Sequence, residues 1–422
     1  MSDNPNHKPR RELRLVAGRS GTRMYSIAAL RERIEDSFAS EYPDGSPALL
    51  EADTSAKRSR LLLDVADYVL AVESVAITAD EKARLIEQIY ADLFGYGPLD
   101  ALFLNERITT IALLGANHIA VRYEHGELIT LDPVFEDEAH LRRVLLRLLT
   151  DARTIWNEDI PIVETGLTVG ERPVGISIVT PPISTFINAD IRVHPKRAPT
   201  LDDLVAQGWM IDETAAFLRR LVMSKHGFVI VGDIEAGKTT LLNALLPLFA
   251  NPEQTILVER SSELRPPVSM KRLTAQWGWD DQLPVTFGEQ IGAALAEQPA
   301  CLILDEVRAD EPATIAPLLD HEDVPRQIWA VRGVPDAKRL QSAMGMLARR
   351  AAMGQGERLV HALYDRLPFV ITVARIQERL RVFSIAEWQS RVDSDYPDYV
   401  MLRRYQDGAA RATDAAPARW VE

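Results

Sequence analysis

At 422 residues, with 46% hydrophobic and 26% charged side chains, the chain has the length and composition of a soluble globular protein with two or three domains. A single cysteine, Cys301, excludes an internal disulfide and a cysteine-based metal cluster, and it favours a reducing, cytoplasmic compartment. The net charge of −13 argues against nonspecific nucleic-acid binding, and no apolar run is long enough to span a bilayer or to form a signal peptide after Met1.

Two kinds of sequence make up the first 94 residues. Residues 1–24 form a polar tail with scattered lysines and arginines, which predicts either a solvated terminus or a segment that contacts acidic lipid or a partner. Residues 25–94 are predicted to be a helical segment, because their apolar side chains recur at helical spacing. The residues that carry this pattern are Ile27, Leu30, Ile34 and Phe38, and later Leu61, Val65, Val69 and Val72.

A small α+β domain is predicted over residues 95–195. It begins at Gly95-Tyr96-Gly97-Pro98-Leu99 and continues with short strand-like runs separated by turns. Residues 196–204 are predicted to be a linker, with a capped helix start at Thr200. Within the small domain the predicted elements are strands 108–114, 118–123 and 128–131, an amphipathic helix 137–150, and strands around Leu167 and over 174–179.

An α/β domain with a parallel sheet is predicted over residues 205–405. Its strand candidates are short and wholly apolar, as expected of strands buried on both faces, and they alternate with helical segments. The candidates are Phe228–Val231, Thr255–Val258, Cys301–Leu304, Gln327–Val331 and Phe369–Val373. Residues 406–422 are predicted to be a tail, and the alanine-rich stretch Gly408–Pro417 is predicted to be frayed.

The most informative motif follows the first of these strands. Residues Gly232 to Thr239 read GDIEAGKT, which matches the phosphate-loop pattern G-x-x-x-x-G-K-[ST] between a strand and a helix. Glycines let backbone N–H groups surround a polyphosphate, and the helix N-terminus adds partial positive charge. Lys238 can reach the β- and γ-phosphates, and the Thr239 hydroxyl can bind Mg²⁺. The predicted ATP-binding residues are Gly232, Glu235, Ala236, Gly237, Lys238, Thr239 and Thr240.

Two acidic residues, Asp233 and Glu235, stand within this loop. Two like unit charges about 4 Å apart repel by about 4 kcal/mol at an effective dielectric constant of 20. Loop side chains usually point away from the bound phosphates while the backbone points toward them. The sequence therefore leaves open whether these carboxylates weaken ATP binding.

A second strand supplies carboxylates for the same site. The apolar run Cys301–Leu304 ends in Asp305 and Glu306, and we expect Asp305 to hold Mg²⁺ through water and Glu306 to act as general base. Glu259 ends another apolar run and is predicted to support the metal or the attacking water. The alternative is that these acids are solvated strand ends without a role.

Together these motifs resemble those of the type II/type IV secretion ATPase superfamily, in particular its tight-adherence (Flp) pilus and type IV secretion branch. The resemblance covers about residues 80–390, and the ordered set of motifs is specific although most single members are weak. In chain order the motifs are Gly95–Leu99, Gly115-Ala116-Asn117, Ile191-Arg192, the phosphate loop, Glu259 with Glu263-Leu264, and Leu304-Asp305-Glu306-Val307-Arg308.

The resemblance implies a RecA-like ATPase domain joined flexibly to an N-terminal domain, in a homo-hexameric ring that uses ATP and Mg²⁺. It implies a cytoplasmic protein, peripheral at the inner face of the membrane, with an inner-membrane platform protein as partner and no specific nucleic acid. An arginine at the position of Arg192 would reach the nucleotide phosphates as a catalytic residue, and Arg172 matches a second family arginine more loosely.

The chain departs from the family pattern in its histidine box. His321 stands at the first histidine position, but Trp329 occupies the second, within Arg326-Gln327-Ile328-Trp329. In addition, Arg260 follows Glu259 where the family has aspartate, and Asp305 stands where it has glycine. Because the box senses the γ-phosphate, these changes bear on turnover more than on nucleotide binding.

Three hypotheses follow. The first is a P-loop ATPase of a secretion or pilus-assembly system that converts ATP hydrolysis into domain motion. The second is a catalytically impaired paralogue that binds nucleotide and has a structural or regulatory role in such a ring. The third is a nucleic-acid motor on a RecA-like core, against which the acidic balance and the lack of a basic, aromatic-rich stretch both count.

Overall fold

A computed structural model of the chain describes residues 15–17, 24–43, 45–124, 126–157, 159–279, 282–320, 324–391 and 394–419. Most of the predicted polar tail lies outside the described residues. The chain divides into two compact units, one formed by residues 1–105 with 140–147 and the other by residues 106–139 with 148–422. None of the helices in the described ranges is both long enough and apolar enough to cross a membrane.

The first unit is mainly helical, as predicted for residues 25–94. Its elements are β1 (Leu15–Ala17), β2 (Met24–Ser26), α1 (Ile27–Glu41), α2 (Pro47–Glu51), α3 (Ser55–Val72), α4 (Ala79–Phe94) and α5 (Leu99–Leu104). Ile34, Leu62 and Ile89 are fully buried where α1, α3 and α4 pack together. α4 begins with a capping box in which Thr78 and Glu81 exchange hydrogen bonds, so its start is set by local sequence.

The second unit begins with a six-stranded antiparallel sheet. Its elements are β3 (Ile108–Leu114), β4 (His118–Tyr123), β5 (Leu128–Leu131), α6 (Glu138–Asp151), β6 (Ile162–Val169), β7 (Arg172–Val179) and β8 (Asn188–Val193). The strand order is β5-β4-β3-β8-β7-β6. The predicted strands and helix are found within one or two residues, and β8 is a strand that the prediction lacks. Ile111, Ile176 and Ile191 are buried in the middle of the sheet.

A nine-stranded sheet follows, and its first six strands in sheet order are parallel, as predicted. The elements up to the last parallel strand are α7 (Leu201–Ala206), α8 (Asp212–Met223), β9 (Phe228–Gly232), α9 (Lys238–Leu245), β10 (Thr255–Glu259), β11 (Lys271–Thr274), α10 (Phe287–Ala296), β12 (Cys301–Val307), α11 (Ala316–Asp320), β13 (Arg326–Arg332), α12 (Ala337–Ala351), α13 (Gly356–Arg366) and β14 (Phe369–Ile376). The order is β11-β10-β12-β13-β9-β14. Alternate residues of β9 enter two apolar cores, one on each face, since Phe228 and Ile230 belong to one core and Val229 and Val231 to the other.

The sheet continues beyond β14 with three antiparallel strands that the sequence did not predict. They are β15 (Arg379–Arg391), β16 (Ser394–Gln406) and β17 (Ala409–Ala412). The prediction of a frayed stretch at 408–417 is therefore wrong for β17, in which Ala410 is fully buried. Beyond it, the buried carboxylate of Glu387 accepts hydrogen bonds from the backbone N–H groups of Ala418 (2.7 Å) and Arg419 (2.9 Å). Composition alone does not distinguish an alanine-rich strand, whose small side chains pack against a sheet, from a disordered alanine-rich tail.

Candidate nucleotide-binding site

The loop from Gly232 to Thr239 joins β9 to the first turn of α9, as the motif predicts. Gly237 is the N-cap of α9 and has a φ of +94°, in the left-handed region that glycine adopts readily. A Cβ atom at this position would also overlap the ring of Trp209. Backbone conformation and packing therefore both require glycine at 237.

Lys238 folds back over this loop. Its Nζ atom donates hydrogen bonds to the carbonyl oxygens of Gly232 (3.1 Å) and Asp233 (2.9 Å). Burial lowers the pKa of Lys238, while the nearby carboxylate of Glu306 opposes that shift. A phosphate oxygen in the loop would offer the ammonium group a charged acceptor, which forms a stronger hydrogen bond than a carbonyl does.

A cavity of about 570 Å³ lies beside the loop, and its wall contains residues of both sheets. This volume falls within the roughly 300–1,000 Å³ typical of small-molecule sites. Gly232, Ala236 and Glu259 are not among the described residues that line it. The predicted site residues in its wall are Glu235, Gly237, Lys238, Thr239, Thr240, Asp305, Glu306 and Arg192.

Asp305 and Glu306 lie toward the carboxyl end of β12, whose parallel neighbours are β10 and β13. The Oδ2 atom of Asp305 accepts a hydrogen bond from the backbone N–H of Arg260 at 2.8 Å. Its Oδ1 atom is buried and has no hydrogen-bond partner among the described residues. Burial, together with the charges of Glu259 and Glu306, raises the pKa of Asp305 well above its usual range.

The oxygens at this end of the cavity fit a magnesium ion. A buried carboxylate oxygen without a donor is suited to a cation or a proton, and Mg²⁺ prefers oxygen ligands such as the Thr239 hydroxyl and Asp305. Across the described ranges, no group of three or more His, Cys, Asp or Glu side chains could hold a metal ion. Phosphate oxygens and water would therefore have to complete the coordination shell, as is usual for Mg²⁺ at nucleotide sites.

Glu259 lies away from the cavity wall and has structural partners. Its side chain is fully buried, pairs with Arg272, and accepts a hydrogen bond from the backbone N–H of Leu264 at 3.2 Å. Burial raises the pKa of Glu259 to about 7, although Arg272 acts in the opposite direction. Glu259 is thus a neighbour of Asp305 on the adjacent strand but, unlike Asp305 and Glu306, is not among the described residues that line the cavity.

Arg192 and Arg172 both line the cavity, but their partners differ. The Arg192 side chain reaches the cavity, where burial lowers its pKa but the carboxylates around it, led by Glu263 and Asp190, raise the pKa above its usual value overall. Arg172 is buried and donates to the carbonyl oxygens of His194 (3.0 Å) and Ile108 (2.6 Å). Arg172 thus connects the backbone at one end of the inner strands β3, β7 and β8.

Each of the two acidic residues in the phosphate loop faces an arginine. Asp233 is exposed, and its Oδ1 lies 3.3 Å from Nε of Arg332. Glu235 accepts a hydrogen bond from Thr110 Oγ1 at 2.9 Å, and its Oε2 lies 2.8 Å from Nη2 of Arg122. The repulsion that the sequence suggested between these carboxylates and a polyphosphate is therefore offset by neighbouring cations.

Glu263 and His194 also line the cavity, although the sequence assigned them no role. The Nε2 atom of His194 lies 2.7 Å from Oε2 of Glu263, and Ser261 donates to Oε1 at 2.8 Å. Burial works against the charged form, but His194 and then Arg192 lower the pKa of Glu263 to about 2. The sequence signal for Glu263 was its position in one of the motifs that resemble the family. No nearby sequence pattern indicated that His194 is its partner.

Arg308 is a third residue to which the sequence assigned no role. It follows β12 and lies between Glu306 and Glu164, a residue of β6. Glu164 also lines the cavity. Glu164 lies far from β12 along the chain, so no sequence motif could have indicated that it contacts Arg308.

Trp329 occupies the predicted second position of the histidine box, in the middle of β13. Its side chain is fully buried in an apolar core, and its Nε1 has no hydrogen-bond partner among the described residues. It pairs in register with Val229 of β9 and Leu304 of β12. The first position, His321, lies outside the described residues.

Comparison with known proteins finds similar sequences and structures. The chain is 28% identical over 292 residues to a putative conjugal transfer protein of Mycobacterium tuberculosis, an alignment that covers 66% of this chain and 83% of that protein. It is 26% identical over 199 residues to the type IV secretion system protein VirB11 of Brucella suis, covering 40% of this chain and 54% of VirB11. Among solved structures, the ATPase DotB of Legionella pneumophila aligns with a TM-score of 0.47 at 14% identity, over 68% of this chain and 78% of DotB.

The profile of the family described as type II/IV secretion system protein matches residues 104–322, which is just over half of the chain. That range runs from the start of the antiparallel sheet through the phosphate loop to the end of α11. The chain belongs to the type II/IV secretion system protein family, a family of ATPases.

Proposed function

We propose that this chain binds ATP with Mg²⁺ and hydrolyses it, and that it acts as a motor subunit of a secretion or pilus-assembly system. One observation carries the proposal: Lys238, Thr239, Asp305, Glu306 and Arg192 line a single cavity although they come from three separate parts of the chain. A chance match to the phosphate-loop pattern would not be expected to lie beside the carboxylates of β12 and an arginine from another sheet.

Each residue has a defined task in this proposal. Lys238 and the loop N–H groups bind the β- and γ-phosphates, and the N-terminus of α9 adds favourable partial charge. Glu306 accepts a proton from the attacking water, and Arg192 stabilises the negative charge that develops on the phosphate oxygens. Thr239 and Asp305 would hold Mg²⁺, which when bound neutralises charge on the phosphates.

The assembly and location belong to the proposal as well. Family membership supports a homo-hexameric ring, a cytoplasmic position at the inner face of the membrane and an inner-membrane platform protein as partner. We also propose the domain division read from the sequence, with an N-terminal helical segment at 25–94, an α+β domain at 95–195, a linker at 196–204 and an ATPase domain at 205–405. Motion between these domains would transmit the energy of hydrolysis.

A second candidate function is a nucleotide-binding ring subunit that does not turn over ATP. Trp329 favours it, because this buried apolar residue stands where the resembled family has a histidine that senses the γ-phosphate. A buried indole in the core of the sheet has no way to reach a phosphate. The two candidates share the binding site and differ in the rate of hydrolysis.

Phosphate release and ATP affinity, measured on the same preparation, distinguish these candidates. For a motor, we expect ATP-dependent phosphate release, loss of nucleotide binding in Lys238→Ala, and retained ATP binding without release in Glu306→Gln. Binding with release at background in the unaltered protein would select the second candidate. Turnover that survives both substitutions would refute the assigned site.

A further inference from the structure

Five residues from five strands form one row across the antiparallel sheet. Arg122 pairs with Thr110, Thr110 with Arg192, Arg192 with Gly175, and Gly175 with Gly166. Residues directly opposite one another on antiparallel strands project from the same face of the sheet. The row therefore crosses β4, β3, β8, β7 and β6 on one face.

This row contacts the segments that carry the nucleotide-site residues. Glu235 of the phosphate loop bonds to Thr110 and Arg122 at one end of the row. At the other end, a Cβ atom on Gly175 would overlap the carboxylate of Glu263, and one on Gly166 would lie 2.7 Å from the backbone nitrogen of Ser262. The row thus presents polar side chains to the phosphate loop, whereas it presents glycines, which have no side chain, to residues 261–263.

Glu235, which accepts the hydrogen bonds from Thr110 and Arg122, has an unusual backbone conformation. Its φ is +55°, a left-handed value that residues with a Cβ atom adopt only rarely. Such conformations persist when the surroundings impose them. Here the surroundings are the side-chain bonds from Thr110 and Arg122 and a contact of 3.4 Å from Arg375 Nη2 to the Glu235 carbonyl oxygen.

Arg122 is itself held in place for this contact. Its Nη1 atom donates to the carbonyl oxygen of Gly126 at 3.1 Å, while Nη2 reaches Glu235. Both side chains of the pair are largely shielded, with 15% of Arg122 and 22% of Glu235 exposed. A shielded hydrogen bond between charged groups is stronger than an exposed one, because water competes for it less.

We propose that Arg122 is a positioning residue of the nucleotide site, which holds the phosphate loop in its binding conformation through Glu235. The proposal rests on the proposed function, since it concerns the affinity of the same site. In this role Arg122 acts on the backbone that surrounds the phosphates rather than on the phosphates themselves. The antiparallel sheet and the phosphate loop are thereby coupled, so that ordering one favours the ordering of the other.

The test is the equilibrium affinity of the full-length protein for MgADP and MgATP, measured by calorimetry. We expect Arg122→Ala to weaken both nucleotides by about tenfold, because a misplaced loop loses contacts to the β-phosphate that both nucleotides carry. Arg122→Lys, which keeps the charge but not the planar donor geometry, should recover part of the loss. The melting temperature of the free protein serves to show that each variant is folded.

A double substitution tests whether Arg122 works through Glu235. In Glu235→Ala the tie to Arg122 is absent while a Cβ atom remains, so we expect a loss of affinity comparable to that in Arg122→Ala and no further loss when the two substitutions are combined. As a matched control, Arg391→Ala removes an exposed arginine of β15 that pairs with Asp398 away from the cavity wall, and it should leave both affinities unchanged.

Several results would overturn the proposal. A loss in Arg122→Ala that affects MgATP but not MgADP would indicate direct contact with the γ-phosphate. An equal loss from Arg122→Ala with and without Glu235→Ala would show that Glu235 is not the intermediary. An equal loss in Arg391→Ala would indicate only a general charge effect. Failure of the unaltered protein to bind either nucleotide would instead refute the proposed function, so the two failures are distinguishable.

Discussion

The Nη1 atom of Arg308 lies 2.8 Å from the Oε2 atom of Glu164, and the Nη2 atom of the same guanidinium lies 3.1 Å from the Oε2 atom of Glu306. One arginine therefore bridges a carboxylate of the antiparallel sheet and the carboxylate that we propose as general base. Arg308 forms ion pairs with both acids, so its interaction with Glu306 is weaker than it would be if Glu164 were absent.

We predict that Glu164→Gln lowers kcat about fivefold with little change in KM. Without the charge of Glu164, Arg308 would pair with Glu306 alone and make that carboxylate a weaker base. Steady-state phosphate release over a range of ATP concentrations measures both constants. The control is Glu171→Gln, an exposed glutamate that precedes β7, and an unchanged kcat in Glu164→Gln would contradict the prediction.

Gly237→Ala should abolish nucleotide binding and lower the free energy of unfolding by about 1–3 kcal/mol. The added Cβ atom would meet both a φ of +94° and the Trp209 ring. Urea unfolding and nucleotide titration measure the two effects. Gly292→Ala, in α10 with open space around it, is the matched control and should be neutral or slightly stabilising, because alanine favours helix.

The interaction of Glu263 with His194 predicts that the free energy of unfolding depends on pH in the acid range. The folded-state pKa of Glu263 is about 2, below its usual value of 4.5, so the unfolded chain binds more protons between these two values. The stabilisation is therefore fully present above about pH 4.5 and is lost as the pH falls toward 2, by up to about 1.4 kcal/mol per pH unit. Urea midpoints of the unaltered protein and of Glu263→Gln should converge below pH 4.5, whereas those of the exposed control Glu253→Gln should stay parallel to the unaltered protein.

Cys301 should be unreactive in the folded protein. It is buried at the start of β12, and burial raises the pKa of its thiol to about 12. Because the thiolate is the reactive form, we expect modification by an aromatic disulfide reagent at pH 8 to be at least roughly 100-fold slower than in denaturant. Rapid stoichiometric labelling of the native chain would show that β12 is open to solvent.

Much of the α/β part could be predicted because its signals are local. A strand buried on both faces needs an uninterrupted apolar run, and the five runs predicted from Phe228 to Val373 each begin within one residue of the observed strand. β11 and β15 to β17 were missed, since they lack such a run. β8 was missed for the same reason, although Arg192 within it was already a candidate from the family resemblance.

The sequence by itself determined the phosphate loop, because Gly232 to Thr239 places every required group within eight consecutive residues. It could also place Asp305 and Glu306 at a strand end, since an apolar run that stops at a carboxylate marks the edge of a sheet. Only the tertiary structure decided what surrounds that loop. Thr110 and Glu235 are 125 positions apart, and Glu164 and Arg308 are 144 apart. Contacts over such distances depend on the register of the antiparallel strands and on packing between sheets, and neither leaves a periodic signal in the sequence.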